Sequence, residues 1–355
     1  MTDKNSEKKD RPLVTFALFA YNQEKYIREA IEGAFSQTYE PLEIILSDDC
    51  STDRTFEIMQ EMAEAYEGPH SVRARQNGTN LGVFMHVLSV AHMSCGKLIV
   101  LAAGDDISKK SRTREIANCW METRAWGFHS YHDIIDDQGK ILQRSVTSEF
   151  LRQKDYRLRT YFYIDEGPVE IVHGCTSAYD RRAFDFPIAN SYQPILSEDG
   201  MMSLWLNLIK QKVVFIDKSL MKYRRHRGAL TNAGKTFRAL GYTEYIELDK
   251  RSELYARSSF NRAKYFLDLV ALSNINKRRV NQQEVDKDIY RFDILSTWGE
   301  RSIWNRISAL LDPRMKSSRK WMCLRLFGYT PLSILKFMLQ NRRSGISITD
   351  EKNNA

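Results

Sequence analysis

The sequence predicts an α/β protein: a mostly parallel central sheet flanked by helices, with a helical C-terminal extension. Three observations predict it. Short apolar runs alternate with stripes of helical period from residue 13 to about 120, the pattern of βαβ units. Three polar pieces, Tyr21-Asn22, Asp48-Asp49 and Asp105-Asp106, each follow such a run. They therefore gather at the carboxyl edge of the sheet, where ligands bind in open α/β folds. From about residue 236 to 296 the pattern is helical and rich in Tyr, Arg and Glu.

Each element has its own reason. Leu13–Ala20 (LVTFALFA) is a buried strand, and Asn22 stands as a candidate N-cap before the stripe Tyr26, Ile27, Ala30, Ile31, Ala34 and Phe35. Leu42–Ser47 is the second strand; the polar DDCSTD follows, then a helix through Phe56, Met59 and Ala63. Ser71–Arg75 is a third strand, closed by the Asn77-Gly78 turn. Asn80 can cap the helix of Val83, Phe84, Val87, Leu88 and Ala91. Lys97–Ala102 is the fourth strand and runs directly into Gly104-Asp105-Asp106. Beyond it, Ile134–Leu142 reads as a hairpin around Gln138-Gly139, His173–Tyr179 and Val213–Asp217 as strands, and Asp199–Ile209 as an amphipathic helix.

The 355 residues suffice for about two domains of roughly 150 residues each. With 43% hydrophobic and 28% charged residues the chain is neither disordered throughout, nor collagen, nor a coiled-coil rod. Its five cysteines (Cys50, Cys95, Cys119, Cys175, Cys323) form no CxxC and no close cluster with histidine. That fits a reducing cytosol better than a disulfide framework. Met1–Asp10 is polar and has no signal-peptide core. The most apolar stretch, Trp321–Gln340, is broken by Arg325, Gly328, Pro331 and Lys336. It falls short of the ~18 uninterrupted apolar residues that a membrane span needs.

Among residues that could carry chemistry, Asp105 and Asp106 are adjacent carboxylates on a Gly-led turn. They repel unless a hard cation such as Mg²⁺ or Mn²⁺, or hydrogen-bond donors, compensate; an ordinary turn with Asp106 as a helix cap is the plain alternative. Asp49 can accept hydrogen bonds from a base or ribose, while Thr52 or Asp53 caps the next helix. In Ser197-Glu198-Asp199 a carboxylate can serve as general base or as a cap. His226 is a candidate metal or diphosphate contact, whereas His86, His92 and His173 lack metal-ligand spacing and read as structural.

Together the stretches VTFALFAYNQEKYI (14–27), QTYEPLEIILSDDCSTDRT (37–55), NGTNLG (77–82), GKLIVLAAGDD (96–106), GCTSAY (174–179) and SED (197–199) resemble the family 2 glycosyltransferases of the GT-A fold. This Rossmann-like, inverting family builds bacterial surface polysaccharides such as O-antigen and capsule. The resemblance covers residues 13–232. It implies that Ala20, Tyr21, Asn22 and Gly104 line a nucleotide pocket, that Asp49 binds the base, and that Asp105 binds both the sugar nucleotide and a Mn or Mg ion. Asp106 and His226 complete the implied metal ligands, and Asp199 is the implied catalytic base, oriented by Glu198. One departure stands out: Ala103 replaces the first Asp of the family's DxD. The implied donor is a nucleoside-diphosphate sugar, UDP-linked on family grounds, and the implied acceptor is a saccharide on a polyprenyl diphosphate. A nucleotidyltransferase or a non-catalytic GT-A scaffold are the alternatives. The first would need a basic, Gly-rich loop that Phe19–Glu24 does not offer, and only Ala103 favours the second.

Charge sharpens the picture. Between Glu300 and Arg343 ten basic residues face only Glu300 and Asp312, a surplus of +8 that equals the net charge of the whole chain. Ile303, Trp304, Ile307, Leu310 and Leu311 fall on one helical face there, and Ile334, Leu335, Met338 and Leu339 on another. Such helices either lie on an anionic membrane surface, or pack on the catalytic domain or on a second subunit of a homo-oligomer. Nucleic acid is disfavoured because no recognition motif accompanies the charge. The expected organisation is a tail (1–11) and a catalytic domain (12–232) with a nucleotide-sugar half (12–106) and an acceptor half (107–232). A helical extension (233–297), basic amphipathic helices (298–343) and a second tail (344–355) follow. The expected place is the cytoplasm, peripherally on the inner face of the membrane.

Overall fold

The computed structural model describes residues 11–147, 171–185, 194–226, 242–272, 280–318 and 322. The stripe from Ile334 to Leu339, Trp321–Gln340 apart from Met322, and most of both tails lie outside these residues. The described residues fall into two compact units, one within Met1–Arg227 and Lys264–Asn281, the other within Gly228–Ala263 and Gln282–Ala355.

In the first unit, strand and helix alternate as the apolar pattern requires: β1 (Val14–Ala20), α1 (Ile27–Phe35), β2 (Leu42–Asp48), α2 (Thr55–Glu64), β3 (Ser71–Gln76), α3 (Val83–Met93) and β4 (Leu98–Ala103). β1 lies parallel between β2 and β4, with Val14 opposite both Leu42 and Leu98. These three strands are buried almost from end to end, which is why they read as continuous apolar runs rather than alternating ones. β3 ends the sheet, is only partly covered, and carries Arg73 and Arg75. Helix α1 does not start at Asn22. That residue has φ +52°, and its side-chain oxygen accepts the Thr52 N–H at 2.8 Å, so it ties the first polar loop to the second. Asn80 likewise accepts the Gly82 N–H ahead of α3.

The other half of the sheet follows from β5 (Ile107–Ser108), α4 (Arg112–Thr123), β6 (Gly127–Ile135), β7 (Ile141–Val146), β8 (Ala178–Asp180), α5 (Glu198–Leu208) and β9 (Val213–Arg224). The order is β3-β2-β1-β4-β8-β6-β9-β5, with β7 paired to β6. β8 runs antiparallel to both β4 and β6, whereas β6 and β9 are parallel. The hairpin read at Ile134–Leu142 is the β6–β7 turn, with Ile135 opposite Ile141. The strand read at His173–Tyr179 is instead a 3₁₀ turn, Gly174–Thr176, and the short β8. Glycine, cysteine and threonine there let the backbone turn where a run of pure alternation would have stayed extended.

Helix α6 (Tyr242–Leu272) continues from the second unit into residues of the first. In the second unit α7 (Gln282–Ser296) and α8 (Ile303–Leu311) are joined through a 3₁₀ turn at Trp298–Glu300. Ile294, Trp298, Ala309, Met315 and Met322 form a core, with Tyr290, Leu295 and Leu310 packed on it. The apolar face read on α8 is thereby divided. Leu310 joins the core, but Trp304 and Leu311 are 76% and 75% exposed.

One ion pair fastens the second half of the sheet. Asp133 on β6, 2% exposed, faces the Lys109 ammonium at 2.7 Å and accepts Ser145 N–H and Ser219 O–H at 2.9 and 2.8 Å. Burial alone would raise its pKa, but these donors hold it at about 2, below its ordinary 3.8. A depressed carboxyl stabilises the fold above its unfolded pKa and stops doing so as pH falls through the folded one. Asp133→Asn is therefore expected to cost about 1–3 kcal/mol at pH 7. Urea titrations of both proteins should show the difference closing between pH 4 and pH 2.

Candidate active site

The carboxyl ends of β1, β2 and β4 meet around small residues. A methyl group on Gly104 would come 2.5 Å from Gln23 Oε1 and 2.9 Å from Ala20 Cβ, so Gly104 and Ala20 let the two strand ends close on each other. Asp49 N–H donates to Ala20 O at 2.9 Å, and Asn22 N–H donates to Ser51 Oγ at 2.8 Å. Asn22 and Cys50 both hold positive φ, a backbone state that clusters at functional sites. Tyr21 is 47% exposed at the rim.

The Asp49 carboxylate is 4% exposed. It accepts Asn77 Nδ2 at 2.7 Å, Leu81 N–H at 2.8 Å and Gly82 N–H at 2.9 Å. It thus anchors the Asn77–Gly82 loop and retains about one free acceptor position. Asp48, fully buried, accepts Ser51 N–H and Gln76 Nε2. Beneath them Ser47 Oγ meets His86 Nε2 at 2.6 Å and receives Arg75 Nη1 at 2.8 Å. Burial lowers the His86 pKa to about 4, so this imidazole is neutral and structural.

Asp105 and Asp106 part company. Asp105 Oδ2 lies 3.0 Å from His226 Nε2, both side chains partly accessible, and the His226 ring leans on Tyr26 with centroids 4.7 Å apart. Asp106 is 5% exposed and accepts the Arg224 N–H at 2.8 Å. Burial, and then the Asp105 charge, raise its pKa well above the carboxylate range. The turn is fixed by Arg224, a buried guanidinium that donates to Asp105 O at 2.9 Å, Asp137 O at 3.1 Å and Glu29 Oε2 at 2.9 Å. Its carbon lies 4.9 Å from the Tyr26 ring centroid.

The second carboxyl pair opens α5. Ser197 caps the helix by accepting Gly200 N–H at 3.0 Å and donates to Asp199 Oδ1 at 2.6 Å. Gly200 N–H also reaches that oxygen, at 2.7 Å, and Gly174 N–H donates to Oδ2 at 2.9 Å. Glu198 stands beside it; burial, then the Asp199 charge, push its pKa up to about 8. Both pairs lie within electrostatic reach of Cys175, which feels Asp106, Asp199 and Glu198. A second buried arginine, Arg112, donates to Leu101 O at 2.7 Å and to Ser108 Oγ at 2.9 Å. Burial lowers its pKa to about 10.

Sequence reasoning singled out the carboxylates and His226 but passed over Arg224, Arg112 and Cys175. The position of Arg224, ending a strand two residues before His226, was the available signal. An arginine in a basic run otherwise reads as solvated surface.

A divalent ion fits Asp105 and His226 by donor chemistry. One carboxylate oxygen and one imidazole nitrogen converge, both partly open, and a diphosphate would supply further oxygens. Asp106, turned inward onto the Arg224 N–H, is spoken for.

Residues 15–186 match the family model described as Glycosyl transferase family 2. The chain is 42% identical over 88 residues to the uncharacterized protein Rv1520 of Mycobacterium tuberculosis, covering 24% of this chain and 25% of that protein. It is 24% identical over 234 residues to glycosyltransferase GlyA of Streptococcus pneumoniae, covering 61% of this chain and 31% of that one. The chain thus spans between a quarter and a third of the length of these relatives. Its structure is similar to that of S. aureus TarS 1-349 in complex with UDP-GlcNAc. The TM-score is 0.51 at 15% identity, over 90% of this chain and 81% of that one, a likeness of fold. Residues 15–186 are thus similar to a family 2 glycosyltransferase domain, and the fold is of the GT-A type.

Removing the guanidinium that fixes the Asp105 turn would leave Glu29 and the carbonyls of Asp105 and Asp137 without a donor. Arg224→Met is expected to cost about 3–5 kcal/mol in urea unfolding, with Arg224→Lys recovering only part of it because an ammonium cannot reproduce the planar fork.

Proposed function

We propose that this chain is an inverting glycosyltransferase that moves a sugar from a nucleoside diphosphate, UDP by preference, to a saccharide hydroxyl. The observation that carries the reading is the pairing of two differently tuned carboxyl sites on one sheet rim. Asp105 faces His226 at 3.0 Å, and Asp199 sits beside Glu198 at the start of α5. Ala20, Tyr21 and Asn22 would border the nucleoside, with Gly104 keeping the pocket floor thin. Asp49 would shape the base pocket chiefly through the Asn77–Gly82 loop that it anchors.

The division of labour follows from protonation. Burial, then the Asp199 charge, push the Glu198 pKa up to about 8, so Glu198 keeps its proton at neutral pH and the role of proton acceptor goes to Asp199. Asp199 takes the proton of the acceptor hydroxyl as that oxygen bonds to the anomeric carbon. The bond from that carbon to the diphosphate oxygen breaks on the opposite face, so the configuration inverts. Gly174 N–H, Gly200 N–H and Ser197 hold Asp199 in place for this. Asp105 and His226 would hold a Mn or Mg ion, which when bound neutralises charge on the departing diphosphate. Ala103 at the first position of the motif is consistent with a site built on Asp105 and His226.

The acceptor we propose is a saccharide carried on a polyprenyl diphosphate at an anionic membrane surface. Trp304 and Leu311 stand out from α8, in the segment that holds the chain's entire charge surplus. Among the described residues no helix is long and apolar enough to cross a membrane, so attachment would be peripheral.

Sugar-nucleotide panels with and without Mn²⁺ or Mg²⁺, followed by nucleoside-diphosphate release, test the activity directly. Asp199→Asn and Asp105→Ala should each lower turnover by about 10² or more. A folded variant with near-wild-type rates would remove that residue from the mechanism. For the membrane, Trp304→Glu with Leu311→Glu should weaken co-sedimentation with phosphatidylglycerol vesicles on the order of tenfold. Unchanged binding would exclude this face as the contact.

A further inference from the structure

Next to the carboxyl pairs lies a set of side chains with different chemistry. His132 on β6, and His173 and Cys175 on the turn before β8, bring one donor atom each to within 4.8 Å of one another. Cys175 Sγ stands 3.6 Å from His173 Nδ1. Imidazole nitrogen at about 2.0–2.1 Å and thiolate sulfur at about 2.3 Å from one tetrahedral ion stand about 3.6 Å apart. The His132 and His173 rings have centroids 5.3 Å apart. His132 is 4% exposed, and its Nδ1 has no hydrogen-bond partner, an expensive state for a buried polar atom that a metal bond would relieve.

We propose that His132, His173 and Cys175 form a zinc site, separate from the Asp105–His226 pair and selective for a softer ion. Two imidazoles and a thiolate are the ligands that Zn²⁺ takes, whereas Mg²⁺ and Ca²⁺ take oxygen. Three protein ligands leave a fourth tetrahedral position to water or a bound oxygen. Zinc there would tie the Gly174–Thr176 turn to β6, and that turn supplies the Gly174 N–H that holds Asp199. The site stands on its own donor geometry and does not depend on which reaction the chain performs.

Elemental analysis of the 355-residue chain decides the matter. After exposure to Zn²⁺ and dialysis into excess Mg²⁺, the wild-type chain should keep about one zinc, and so should Asp105→Asn. Cys175→Ser and His132→Asn should each retain at least tenfold less. Cobalt in place of zinc should show a thiolate-to-metal charge-transfer band that Cys175→Ser abolishes and that substitution of the exposed Cys95 by Ser leaves intact. Circular dichroism of each variant checks folding, and the wild-type stoichiometry and cobalt spectrum decide even if a variant fails to fold. Wild-type protein without stoichiometric zinc and without the cobalt band overturns the proposal. So does a folded Cys175→Ser that retains zinc as well as the wild type does.

Discussion

The buried guanidinium of Arg224 is the interaction on which the rest of the site depends. It is a permanent charge in a place closed to water, and it persists there because carbonyls and carboxylates surround it: Asp105 O, Asp137 O and Glu29. Those partners belong to the β4–β5 turn, the β6–β7 turn and α1. One side chain at the end of β9 thereby sets three segments that are distant in sequence. Its own N–H claims Asp106, which frees Asp105 to face His226. Swapping such a cation for a neutral group leaves its partners unpaired, so it acts as a geometric constraint more than as a source of stability.

Arg112 applies the same physics to the other side of β4. It donates to Leu101 O at full strength and lies 3.5 Å from the carbonyls of Cys175 and Ser177, so β4 and the turn ahead of β8 share one donor. Both arginines satisfy backbone groups that the irregular, mixed half of the sheet cannot pair by itself. Strands β1 and β2 have little need of them, because each is paired on both sides and buried on both faces.

That contrast explains what was legible in the sequence. β1, β2 and β4 announce themselves because burial on two faces demands unbroken apolar runs, and the polar residues after them mark the rim. β5 has two residues, and β6 (GFHSYHDII) mixes polar and apolar residues because it is bulged and has three neighbours; neither carries a periodic signal. Asp49, Asp105, Asp199 and His226 could be picked out from motif spacing, but their partners could not. Asp49 is engaged by a loop about thirty residues on, and Asp106 by Arg224, more than a hundred residues away. The apolar face read on α8 was divided for a similar reason, since α7 and the turn at Trp298 decide which of its residues are covered.

β3 closes one end of the sheet and leaves a row of backbone donors and acceptors facing outward. Arg75 turns back onto Ser47 and Asn77, whereas Arg73, 3.6 Å from Glu43, stays half exposed, so a second copy offering its own β3 would bring two such guanidinium groups together. Strand-on-strand stacking into fibrils is thus discouraged by charge at this edge of the parallel ladder. The same short strand thus serves twice, guarding an open edge with Arg73 and bracing Ser47 and Asp48 from beneath with Arg75 and Gln76.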